Sequence, residues 1–186
     1  MPEKPRIYID AAPFIDLVKV KVGAGITSDI SRDAWAVENL LAAAREGLIL
    51  VFTSTLTIAE CTHVGDPVKL NAAKPFFYGL LASGKSGVRL VQTTFSIVER
   101  ARDLRWLNQV GLKGADAVHV ASALHMQCDE LLTGDGRIHR EASLLAPMNL
   151  RVTRPGDTRL LPAKFQQPTL PLPEGGNEAP PHSSGV

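Results

Sequence analysis

With 186 residues, 45% of them hydrophobic and only 5% aromatic, the chain has the apolar content for one core that buries roughly two-thirds of its unfolded surface. A net charge of +1 does not by itself announce a polyanionic partner, and the longest unbroken apolar run, Leu48 to Phe52, is far too short to cross a bilayer. Two cysteines, Cys61 and Cys128, both in helix-like segments, provide no disulfide framework.

In chain order, the opening "MPEKPRIYIDAAPF" lacks an apolar stretch of signal-peptide length, and a soluble cytoplasmic protein is the expectation. "RIYID" reads as a strand, and "AAPFIDLVKVK" reads as a helix with Pro13 in its first turn. "SRDAWAVENLLAAAREG" is helical, with Ser31 as candidate cap and Gly47 as stop. "LILVFTS" is the continuous apolar run of a strand covered on both faces, and "TLTIAECTHV" begins another helix. A helix interrupted or kinked by Pro75, the strand "VRLVQTT" and the helix "FSIVERARDLRWLNQVG" follow. The helix "ADAVHVASALHMQC", the strand "ELLT", a short helix near 138–145 and the strand "NLRVT" complete the pattern. Such alternation predicts an α/β fold of three layers, α/β/α, around a mainly parallel sheet of about five strands. From residue 162 the composition turns to Pro, Gly, Ser and Gln, so the expected division is a domain over 1–161 and a flexible tail over 162–186.

Parallel sheets bind ligands beyond the carboxyl ends of their strands. Asp10 closes the first strand, Glu60 lies a helical turn after the second, and Asp135 follows the fourth. Asp116 reaches the same edge from the first turn of its helix, with His119 on the same stripe, where it could bond Asp116 or the core. Singly these acids are ordinary: a cap, a capping box, a dipole partner and a turn residue. Together they are not, because carboxylates about 4 Å apart repel by roughly 4 kcal/mol per pair at an effective dielectric of 20. A positive group must lie among them, and all-oxygen donors suit Mg²⁺ or Mn²⁺. Zinc is disfavoured, since "CTH" at Cys61–His63 has no matching second half. Through residue 161 there are 19 Lys and Arg against 17 Asp and Glu; setting the four acids aside leaves 19 against 13, or +6, which is compatible with a polyanionic substrate.

On "IYIDAAPFIDL", "TLTIAE", "LKGADAVHVASAL" and "LLTGDGR", in that order and approximate spacing, the chain resembles the PIN-domain nucleases, particularly the VapC-type ribonuclease toxins of toxin–antitoxin pairs. The resemblance spans nearly all of residues 6–153. It implies a metal-dependent endoribonuclease that hydrolyses RNA phosphodiesters, with Asp10, Glu60, Asp116 and Asp135 as catalytic and metal-binding residues and Mg²⁺ or Mn²⁺ as cofactor. Asp10 and Asp116 would be the principal ligands, Asp135 would complete the site, and Glu60 would orient a water or take its proton. Gly136 after Asp135 and the proline-rich tail depart from the family pattern. Arg137 is a candidate substrate-binding residue, while Arg140 and the run Arg100, Arg102, Arg105 could follow an RNA backbone or form solvated helix faces. Thr133 could touch the acids or merely finish its strand, and Trp35 and Trp106 are expected to pack.

By the same resemblance the partners are an RNA substrate, an antitoxin protein and a second copy of the chain, with no membrane. Helices around Phe14, Leu17, Leu40 and Leu41 could form the antitoxin's apolar wall. A non-catalytic module of the same fold, or a nuclease of RNA processing without an antitoxin, are the alternatives. An aspartyl-phosphate phosphatase needs an acid two positions after the first, where "DAA" has alanine, and a dinucleotide-binding turn needs glycines directly after the first strand.

Overall fold

The computed structural model describes residues 3–166. Strand β1 (Arg6–Ile9) leads into helix α1 (Ala11–Val22), and α2 (Ser28–Arg45) returns to β2 (Leu50–Ser54) and the short α3 (Leu56–Glu60). Helix α4 (Leu70–Leu81), preceded by a 3-10 turn at Pro67–Lys69, leads to β3 (Val88–Val91) and α5 (Phe95–Trp106). Helix α6 (Gly114–His125), β4 (Glu130–Leu132), α7 (Gly136–Arg140), α8 (Ala142–Leu145) and β5 (Arg151–Thr153) complete the order. All five strands are parallel and run β3-β2-β1-β4-β5, so β1 is central. The chain builds one side of the sheet, then crosses to the other between β3 and β4. That switch places the ligand crevice of an open α/β sheet at the carboxyl ends of β1 and its neighbours.

Strand β1 shows why the sheet is sandwiched. Ile7 and Ile9 join the apolar layer beneath α1, α2 and α4, whereas Tyr8, pointing the other way, joins the layer beneath α5 and α6; all three are fully buried. Phe14, Leu17, Leu40 and Leu41 are buried in the first layer, and Leu17 and Leu41 also line a small surface cavity between α1, α2 and α4 with Phe76 and Leu80. Their helical spacing marks a core stripe.

Element boundaries differ from expectation in three places. Helix α2 begins a turn early, capped by the Thr27 hydroxyl, which accepts from Ile30 N at 3.3 Å, with Ser31 already inside the helix. Helix α3 stops at Glu60 because Cys61 leaves the helical region (φ −76°, ψ 62°). The expected helix near 138–145 is two pieces, α7 and α8. Pro75, by contrast, lies inside a single α4. Beyond residue 161, Phe165 packs partly buried against the first apolar layer, and Lys164 pairs with Glu46. The rest of the expected tail, 167–186, lies outside the described residues.

Candidate active site

Asp10 stands where β1 ends, as N-cap of α1, and is nearly buried. One carboxylate oxygen accepts Ala11 N at 2.7 Å and the other accepts the Thr133 hydroxyl at 2.8 Å. Thr133, just past β4, accepts in turn from Asp135 N at 2.9 Å, so one hydroxyl ties together the ends of the two adjacent strands. The sheet register thereby becomes a fixed relation between Asp10 and Asp135.

Glu60 closes α3, a helix anchored by its first residues. Thr57 bonds the Thr53 hydroxyl at 2.7 Å, and Thr53 donates to Ile9 O at 2.7 Å, one residue before Asp10. From α6 the buried His119 meets Glu60 Oε2 through Nε2 at 2.7 Å, with Asp10 Oδ1 at 3.4 Å from the same nitrogen. Its other nitrogen meets the Tyr8 hydroxyl at 2.8 Å. Asp10, Glu60 and His119 thus offer three donor atoms within 4.8 Å of one another, a grouping able to hold a metal ion. Of the two partners expected for His119, Asp116 or the core, it bonds the core through Tyr8, and it adds Glu60. Three residues of helix rotate the imidazole inward against the sheet while Asp116 stays at the rim.

Asp116 and Asp135 meet through a cation. Arg137 approaches Asp116 Oδ2 at 3.2 Å from Nη1 and Asp135 Oδ2 at 2.6 Å from Nη2, while its backbone N–H donates to Asp135 Oδ1 at 2.7 Å. Asp135 therefore caps α7 as well as carrying the guanidinium. The hydrogen bond from Arg137 holds the Asp135 carboxyl below the usual range. Burial, with help from Asp135 and Asp10, lifts Asp116 above it despite the pull of Arg137. Burial is also the largest influence on His119 and pushes it down, but the hydrogen bond to Glu60 and the charges of Asp10, Glu60 and Asp116 together carry it above its ordinary value.

The four acids expected from sequence therefore share one rim, in two linked subsets: Asp10 with Glu60 around His119, and Asp116 with Asp135 around Arg137. His119 and Arg137 supply hydrogen-bonding and positive charge among them. Thr133 touches the cluster through its hydroxyl. Among the other cations, Arg102 is occupied with Glu99 and Asp103, and Arg100, Arg105 and Arg140 are exposed. Trp106, expected to pack, is 68% exposed with the Arg102 guanidinium 4.7 Å from its ring centre.

The donor chemistry fits a hard divalent ion. Asp10, Glu60 and Asp116 supply oxygen, and both Asp10 oxygens keep lone pairs beyond the single bond each accepts. The family model described as "PIN domain" matches residues 7–144 of this chain. No curated protein matches it.

Proposed function

Because the chain belongs to the PIN-domain family, whose members are generally metal-dependent nucleases, we propose that it is a Mg²⁺-dependent endoribonuclease acting through Asp10, Glu60, Asp116 and Asp135. The observation that carries this reading is the gathering of all four carboxylates around His119, Thr133 and Arg137 at the carboxyl edge of an all-parallel sheet. A binding module for RNA has no use for such negative charge beside a phosphate.

Asp10 and Asp116 would hold the ion, with Asp135 completing the set, and the chemistry supplied there would be a lowered pKa for water and neutralised phosphate oxygens. The chain's own groups perform the rest. Glu60 turns its carboxylate to the attacking water and accepts its proton. Asp10 keeps its position because the backbone of α1 and the Thr133 hydroxyl bind both its oxygens. Arg137, exposed and already at the mouth, offers guanidinium N–H groups to the scissile phosphate as its two carboxylates turn to a cation. The buried apolar layer behind the acids keeps water from their rear and strengthens every charge interaction in the cluster.

The test is cleavage of total RNA by purified protein in Mg²⁺ or in EDTA, with Asp116→Asn alongside. Magnesium-dependent new ends that fall at least ~100-fold in Asp116→Asn support the reading; cleavage by the variant at the wild-type rate, with contaminating nuclease excluded, overturns it. The resemblance to VapC-type toxins extends the proposal to growth inhibition relieved by an antitoxin, and to a homodimer. Expression of the chain alone, and with the product of any short neighbouring reading frame, tests that extension; growth unaffected by the active protein removes it.

A further inference from the structure

The hydrogen bonds on the two ring nitrogens of His119 bear on whether its imidazole is a ligand or a support. Tyr8 is fully buried, and its hydroxyl oxygen accepts the Ser54 N–H at 2.8 Å. Its own proton needs an acceptor, because a buried O–H left unpaired costs about 1–3 kcal/mol. Two acceptors lie within reach: His119 Nδ1 at 2.8 Å, and the Ser122 oxygen, which stays free to accept while its own proton goes to Val118 O at 2.7 Å. Tyr8 alone therefore leaves the tautomer open, and Glu60 decides it. A carboxylate only accepts, so the 2.7 Å contact of His119 Nε2 with Glu60 Oε2 places the proton of the neutral ring on Nε2 and makes Nδ1 an acceptor for Tyr8. The reverse tautomer would aim a lone pair at a carboxylate. A doubly protonated ring also keeps Nε2–H on Glu60.

We infer that His119 is a positioning residue: its Nε2–H pins one oxygen of Glu60, Tyr8 supports the ring from Nδ1, and Oε1 is left as the working oxygen of the site. His119 is thereby no metal ligand, although its Nε2 lies close enough to Asp10 and Glu60 to look like one. The inference rests on the proposed nuclease site for what Glu60 does, and on geometry alone for the tautomer. Glu60 needs such a support. It is the last residue of a five-residue helix, and its side chain is 30% exposed with three free torsions. The chain Ser54–Tyr8–His119–Glu60 joins β2, β1, α6 and α3, so the carboxylate is referenced to the sheet that also carries Asp10.

Two readouts decide this. In protein labelled with ¹⁵N at histidine, long-range ¹H–¹⁵N correlation reads the tautomer directly. The expected result is a proton on Nε2 of His119 that persists through titration with Mg²⁺; a bare Nε2 in the free protein, or loss of its proton on adding the ion, overturns the inference whether or not the protein cuts RNA. Kinetics supply the second. His119→Ala should lower kcat about 10–100-fold with KM for RNA unchanged within twofold. His119→Gln, which retains an N–H donor, should recover part of that loss. Were His119→Ala as active as wild type while Glu60→Gln is inactive, the support would be dispensable and the inference wrong. If wild-type protein cleaves no RNA, the nuclease reading fails while the tautomer measurement still stands.

Discussion

Tyr8 has two partners and no exposure, so the removal of one oxygen atom reaches beyond packing. Tyr8→Phe keeps the ring in the layer with Phe52 and Val120 but leaves the Ser54 N–H without an acceptor and His119 Nδ1 without a donor. The expected cost is about 1–3 kcal/mol in urea unfolding; a change below about 0.5 kcal/mol would mean that water enters and satisfies both groups. Cys128 illustrates a different residue-scale effect. Burial pushes its thiol from 9.0 up to about 12, with Asp129 adding to the rise and Arg6 opposing it. The folded pKa is above the unfolded one, so the neutral thiol's contribution is complete below pH 9 and is lost as pH climbs toward 12. Between those limits wild-type stability should fall about 1.4 kcal/mol per pH unit more steeply than that of Cys128→Ala. Parallel pH profiles for the two proteins would contradict the burial argument.

At the scale of elements, α3 is the device that brings Glu60 to the rim, and five residues cannot hold a helix by propensity alone. Its anchor is the hydroxyl ladder from Thr57 to Thr53 to Ile9 O. Thr53→Val preserves shape and β preference but removes the ladder, leaving the Ile9 carbonyl and the Thr57 hydroxyl unpaired inside the protein. It should cost about 1–3 kcal/mol and lower kcat more than a distant mutation of equal destabilisation, because α3 carries Glu60; unchanged kcat at permissive temperature would show that His119 alone suffices. The strands and the four acids were legible in sequence, since strand ends, caps and helical spacing are local signals. The Glu60–His119 contact was not. It pairs residues 59 positions apart, whereas the helical stripe pointed only to Asp116 or the core. Arg137 was legible as a candidate by its proximity to Asp135, whereas its bridge to Asp116 depends on the fold bringing its side chain to the first turn of α6.

At the scale of the whole molecule, the segment after β5 closes the fold by polar contacts that no hydrophobic period announces. Asp33, buried in the first turns of α2, accepts Arg154 Nε at 3.0 Å and Nη2 at 2.7 Å on one oxygen, and Gly156 N at 2.9 Å on the other. Glu130, buried in β4, receives Arg151 Nη1 at 2.7 Å and the Thr158 hydroxyl at 2.5 Å. Residues 154–158 are thus tied at both ends, to a helix of one apolar layer and to a strand of the sheet. Periodicity marks the strand "NLRVT" but is silent on this return, because its determinants are two lone acids far back in the chain. Asp33→Ala would leave the Gly156 N–H unpaired and Arg154 without its carboxylate. Losing a fully buried charge partner costs about 3–5 kcal/mol, but the Arg154 side chain is 36% exposed and water recovers part of the loss, so about 2–3 kcal/mol is expected. Gly156→Ala supplies the complementary experiment. A Cβ there would stand 2.6 Å from Arg32 Nε and 2.9 Å from Asp33 Oδ1, so it should disturb the same tie while leaving every charge in place. Amide exchange at 156–161 should accelerate in both variants beyond the global change in stability. If it tracks global unfolding alone, the return segment is held by the apolar contacts of Leu160 and Leu161, and the buried acid is incidental to closure.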